Sequence, residues 1–173
     1  MDAACVADIV AYLQKHGLEI YVDGGWAVDA LLGDQSRPHG DLDIAIPHKQ
    51  VSRLRELLAL RGYDHRPRAG SRDCNFVLAD PHGREIDVHS YTLNEAGECV
   101  FGIPYARQHL LGTGSIGGYQ VRCISPEWLV KFHTGYEPDY DDFRDVFALC
   151  NRFRIALPAE YQKFLGAMAP PEA

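Results

Sequence analysis

No stretch of this sequence comes near the roughly 20 consecutive apolar residues that a membrane-spanning helix needs. The opening segment MDAACVADIV also lacks the basic start of a secretory leader. The chain is therefore expected to be cytoplasmic, with no membrane partner. Positive charge is scarce as well: 17 Lys and Arg stand against 24 Asp and Glu, a net charge of −7. Bulk nucleic-acid binding depends on clustered basic residues that neutralise phosphates, so no such partner is expected. A site for a single nucleotide needs only local positive charge and stays open. The five cysteines, Cys5, Cys74, Cys99, Cys123 and Cys150, are odd in number and form no C-x-x-C pair. That argues against a disulfide framework or a zinc site and for reduced, separately packed thiols. Repeats and low-complexity tracts are missing too. With 173 residues, 46% of them hydrophobic, the chain has the material for one compact domain with a real core.

The apolar pattern resolves the first half into alternating elements. Val6, Ile9, Val10 and Leu13 recur at helical spacing, predicting a helix over 3–16 that stops at Gly17. A strand is expected at Leu18–Val22, then a turn at Gly24-Gly25, then a helix Trp26–Leu32 ended by Gly33. Asp41–Ile46 alternates strictly, with Leu42, Ile44 and Ile46 on one face and Asp41 and Asp43 on the other, and Pro47 closes it. A helix over about 48–60 and two strands, near Cys74–Ala79 and Arg84–Tyr91, follow, the strands flanking a turn at 80–83. Residues 92–118 are glycine-rich and carry no clear period, which suggests a long functional loop. Tyr119–Ile124 reads as a further strand, and Ser125-Pro126-Glu127 as a helix start opening a mostly helical tail. The expected architecture is α/β (α+β): a mixed sheet flanked by helices over 1–124, then a small helical part over 125–173.

Three acids carry the chemistry. Asp41 and Asp43 project from one strand face with Cα atoms about 6–7 Å apart. Asp87 alternates in the same way against Ile86 and Val88. If the two strands are neighbours, three carboxylates converge, and their repulsion needs a hard cation to relieve it. Magnesium suits such a site, because it is held by a few carboxylates together with substrate phosphates. An isolated D-x-D is most often an acidic face looking at water. Here it follows a strand–Gly-Gly–helix turn, whose backbone can approach a phosphate closely and whose free N–H groups can bind it.

The segments Tyr21-Val22-Asp23-Gly24-Gly25-Trp26-Ala27-Val28-Asp29 and Arg37-Pro38-His39-Gly40-Asp41-Leu42-Asp43-Ile44 together resemble the opening of the antibiotic nucleotidyltransferases. The similarity is greatest to the small lincosamide nucleotidyltransferases, with the aminoglycoside 2''-nucleotidyltransferases next. Glu85-Ile86-Asp87-Val88-His89, Ile124-Ser125-Pro126-Glu127 and Phe132-His133-Thr134-Gly135-Tyr136 are similar to later segments of the lincosamide branch. Residues 92–118, where acceptor contacts belong, match least.

The resemblance implies a nucleotidyltransferase fold and roles for individual residues. Asp41 and Asp43 would hold the metal, with two Mg²⁺ ions and ATP or another nucleoside triphosphate as co-substrate. Asp87 would be a third ligand, the base for the acceptor hydroxyl, or both. Gly24 and Gly25 would meet phosphates through backbone N–H groups. Arg37, His39 and Lys131 are candidates for the triphosphate or the leaving pyrophosphate, against the alternative of solvated surface groups. His89 lies within reach of an acceptor or makes a structural hydrogen bond. Tyr21 stacks on a ligand ring or packs in the core. Asp142 meets a cationic acceptor, or caps or pairs within the helical part. The implied reaction moves a nucleoside monophosphate onto a hydroxyl of a small-molecule antibiotic, a lincosamide first and an aminoglycoside second, in a possible homodimer. A protein-modifying enzyme of a toxin–antitoxin pair is the rival from another class.

Overall fold

The computed structural model describes residues 1–168. Helix α1 (Ala3–Lys15) is capped by Asp2, whose side chain accepts from the Cys5 N–H at 2.7 Å. It buries Val6, Ile9, Val10 and Leu13, the stripe the sequence pattern marks. Strand β1 (Tyr21–Asp23) leads into α2 (Gly24–Leu32), which ends at Gly33 with φ +88°. The two glycines lie inside the first turn of this helix and not in a loop ahead of it, because Asp23 itself is the cap. The strand expected over 18–22 starts three residues later and ends one residue later, at Asp23.

Strand β2 (Asp41–Pro47) is followed by a 3₁₀ turn at His48–Gln50 and α3 (Val51–Ala59), in place of one continuous helix. Then come β3 (Asp64–Arg66), β4 (Asn75–Ala79) and β5 (Glu85–Leu93). The segment without a clear period folds into β6 (Cys99–Gly102), a 3₁₀ turn at Arg107–Leu110 and β7 (Gly112–Ile116). Strand β8 (Tyr119–Cys123) returns through a hairpin at Gly117 and Gly118, both at positive φ, the geometry of a tight right-twisted turn. Helices α4 (Pro126–Phe132) and α5 (Tyr140–Phe153) and a 3₁₀ stretch Ala159–Met168 complete the described chain.

The eight strands of the described residues form one mixed sheet in the order β3-β4-β5-β2-β1-β8-β7, with β6 paired to β5. Pairs β2/β5 and β1/β8 are parallel and β1/β2 is antiparallel. One face of the central strands carries Leu42, Ile44, Ile46, Ile86 and Val88, all fully buried. Each such side chain contributes roughly 1.5–3 kcal/mol when removed from water. That burial fixes the register, since a one-residue slip would send the aspartates into the core. Helices α4 and α5 pack on α2, so the C-terminal helices rest against the element that starts at the glycine pair. No described helix is long and apolar enough to cross a membrane.

Candidate active site

Strand register decides which acids meet. Asp23 faces Asp43 across β1/β2, and Asp43 faces Asp87 across β2/β5. Three aspartates therefore occupy one row across three adjacent strands, and Asp41 opens the preceding row opposite Glu85. Two of the expected acids, Asp43 and Asp87, are brought together with His89, their ligand atoms lying within 4.8 Å of one another. Asp41 stands just outside that set and acts on it through its charge.

The electrostatics are strained. Burial first, then the charge of Asp41, pushes the Asp43 carboxyl up to about 7, with Asp23 and Asp87 adding to the shift and His89 opposing it. Burial also raises Asp87, opposed by His89 and assisted by Asp41. One oxygen of Asp87, Oδ1, is buried with no hydrogen-bond partner among the described residues. His89 Nε2 is 3.5 Å away from it. Buried polar atoms are almost always paired, so this orphaned carboxylate oxygen amid like charges could hold a cation. Hard oxygen ligands in this arrangement fit magnesium.

The glycine turn lies against this cluster. Gly24 takes φ +57°, and a β-carbon there would overlap the Asp43 carboxylate. Its N–H is already given to Asp23 Oδ1 at 2.8 Å, so the later amides of the first turn of α2 are the ones left for a phosphate. A β-carbon on Gly25 would in turn meet His39 and Arg37.

Two expected phosphate ligands are otherwise engaged. His39 is buried and hydrogen-bonded through Nε2 to Asp29 Oδ2, while Ser36 donates its N–H at 2.9 Å and its hydroxyl at 2.6 Å to Asp29 Oδ1. Arg37 forms a bidentate pair with the buried Asp145 on α5, its Nη2 2.7 Å from Oδ2. Both side chains brace the loop 34–40 against α2 and α5. Asp142 follows the capping alternative: it closes a capping box with Asp139 at the start of α5 and accepts from the Tyr136 hydroxyl at 3.0 Å. Lys131 is exposed on α4 with its ammonium 4.4 Å from the Trp128 ring, and makes no ion pair among the described residues. Tyr21 is buried with its hydroxyl donated to Glu19 at 2.8 Å. It lines a separate cavity of about 410 Å³ with Pro47, Tyr91 and Leu110.

Two residues at the site had no assigned role in the sequence reading. Asp23 is buried, yet its carboxyl is held below the ordinary value because hydrogen bonds and the charge of His89 outweigh burial. Tyr105 donates its hydroxyl proton to Asp23 Oδ2 and stands 3.2 Å from His89 Nδ1. The acid before Gly24 was visible in the sequence as the same-face neighbour of Tyr21. Tyr105 sits in the stretch without periodicity and left no signal.

Residues 5–149 match the model of the aminoglycoside-2''-adenylyltransferase family, well over half of the chain. The chain belongs to that family. It is a nucleotidyltransferase, as its opening motifs led us to expect. A lincosamide resistance protein of Staphylococcus haemolyticus is 28% identical over 131 residues, which cover 73% of this chain and 80% of that one. A 2''-aminoglycoside nucleotidyltransferase of Klebsiella pneumoniae is 32% identical over 57 residues, 33% of this chain and 32% of the relative. The lincomycin-bound crystal structure of the lincosamide antibiotic adenylyltransferase LnuA superposes with a TM-score of 0.72 at 23% identity. That alignment covers 87% of this chain and 96% of LnuA, and the shared nucleotidyltransferase fold follows from it.

Proposed function

We propose that this enzyme transfers a nucleoside monophosphate, AMP in the first instance, from a magnesium–nucleoside triphosphate to a hydroxyl of a lincosamide antibiotic. One observation carries the reading: the row of Asp23, Asp43 and Asp87, with an orphaned Asp87 oxygen, set against the glycine turn of α2. Asp43 and Asp87, with Asp41 beside them, would hold the metal. When bound there, magnesium would supply charge neutralisation for the carboxylates and the triphosphate, the service that nucleotidyl transfer requires. The first-turn amides of α2 then orient the phosphates.

Asp87 orients the acceptor hydroxyl and takes its proton. The hydroxyl oxygen forms a bond to the α-phosphorus, the bond from that phosphorus to pyrophosphate breaks, and pyrophosphate leaves. The same reading places the enzyme in the cytoplasm, where its nucleotide is abundant.

The lincosamide acceptor is supported by the resistance protein that aligns over most of both chains. An aminoglycoside is the second reading, favoured by the family model and by the net charge of −7, which suits a polycationic drug. Incubating the protein with ATP, Mg²⁺ and either lincomycin or kanamycin, followed by intact-mass analysis of the drug, separates them. A nucleotidyl adduct on lincomycin supports the first reading. An adduct on kanamycin alone moves the assignment to the second, and no adduct on either drug rejects both.

A further inference from the structure

The Tyr105 hydroxyl links both sides of the carboxylate row. It reaches the row from the connection after β6, and its ring is buried edge-on between Tyr91, with centroids 5.6 Å apart, and Phe132 of α4, at 5.8 Å. The single phenolic proton goes to Asp23 Oδ2, so the Nδ1–H of His89, 3.2 Å away, donates to the Tyr105 oxygen. From this hub two limbs run to the row. The first passes through Asp23, whose other oxygen holds the Gly24 N–H at 2.8 Å, to the turn that packs against Asp43. The second passes through His89, whose Nε2 lies 3.5 Å from Oδ1 of Asp87. Tyr105 touches neither Asp43 nor Asp87 by a hydrogen bond, yet the neighbours of each are fixed through it.

We propose that Tyr105 is a positioning residue for nucleotidyl transfer: its hydroxyl sets the relative placement of the Gly24 turn and the Asp43–Asp87 pair through Asp23 and His89. The proposal rests on the function assigned above. Outer partners that orient metal-binding side chains typically matter by about 10–100-fold in affinity or activity. Phenylalanine preserves the ring packing on Tyr91 and Phe132 and removes only the hydroxyl. Because Asp23 then loses a partner, folded content must be measured alongside activity.

The test compares the full-length protein with Tyr105→Phe, Asp23→Asn and the double variant. Steady-state kinetics are measured per folded molecule, and Mn²⁺ binding to the metal-free protein is followed by electron paramagnetic resonance. Tyr105→Phe is expected to lower kcat by about 10–100-fold with the KM for nucleotide within about twofold, and to weaken Mn²⁺ binding about tenfold. The double variant is expected to be no worse than the poorer single one, because Tyr105→Phe already cuts the limb through Asp23 that Asp23→Asn cuts. A kcat per folded molecule within about twofold of the parent would overturn the proposal. So would losses that multiply in the double variant. If the parent transfers nothing to any acceptor, the assigned function is what fails, and the Mn²⁺ isotherm decides for Tyr105: weaker binding supports positioning and unchanged binding refutes it.

Discussion

Gly24 and Asp43 share one corner of the site: the backbone of Gly24, at φ +57°, lies so close to the Asp43 carboxylate that any β-carbon would collide with it. The contact makes glycine obligatory there for two reasons, the left-handed backbone and the missing side chain. Gly24→Ala is therefore expected to displace Asp43 or the turn. Misplacement of that size costs about a hundredfold in rate. Kinetics on the purified variant, with circular dichroism to confirm folding, checks this; a Gly24→Ala enzyme with parental kcat would be inconsistent with the close approach.

The carboxylate row repels itself, and a divalent cation should relieve that. Adding Mg²⁺ to metal-free protein is expected to raise its melting temperature, since a ligand that binds only the folded state stabilises it. Asp43→Asn should abolish most of that rise while starting from a higher midpoint than the parent, because one of the crowded charges is gone. Transfer by the same variant is expected to fall by about a thousandfold, the equivalent of several kcal/mol. Differential scanning fluorimetry and a transfer assay on both proteins give the answer. An equal Mg²⁺ shift in the two would show that the ion binds elsewhere.

Much of this site could be read from the chain before any coordinates. The alternation of Leu42, Ile44 and Ile46 against Asp41 and Asp43 forces the acids to one face, and Ile86 and Val88 do the same for Asp87. Local pattern therefore placed the central strands. It did not reveal which protein groups hold Arg37 and His39. Their partners, Asp145 and Asp29, are 108 and 10 residues away in sequence, and a loop cation looks the same whether it awaits a phosphate or braces a helix. Tyr105 escaped notice because its role is set by a pairing 82 residues distant, inside a stretch whose short strands bury too few residues to show a period.

The bracing role of His39 has a direct consequence. His39→Ala leaves the Asp29 carboxylate, which is 2% exposed, without its ring partner. Breaking a buried pair in this way costs about 3 kcal/mol. Urea denaturation is expected to show that loss, with the KM for nucleotide little changed in the molecules that remain folded. A stable variant with a strongly raised nucleotide KM would instead return His39 to the phosphates.

Acid should unfold the protein partly through Asp29 and Asp80. Burial alone would raise both. Hydrogen bonds from His39 and Ser36 to Asp29, and from Arg84 and His82 to Asp80, outweigh it and hold both carboxyls below their ordinary value. A carboxylate whose folded pKa is lowered contributes stability above its unfolded pKa and loses it as pH falls through the folded one. The stability from these two groups is thus constant at neutral pH and declines below about pH 4. Urea midpoints measured between neutrality and acid should drop there, and the drop should be smaller in Asp80→Asn. An unchanged acid limb in that variant would remove Asp80 from the account.

Asp87 carries the most specific chemical assignment in the site, and acceptor-dependent pyrophosphate release tests it most directly. With ATP, Mg²⁺ and lincomycin, the parent protein is expected to release pyrophosphate only when the drug is present, while folded Asp87→Asn releases almost none. Pyrophosphate release by Asp87→Asn at the parental rate would contradict the central claim.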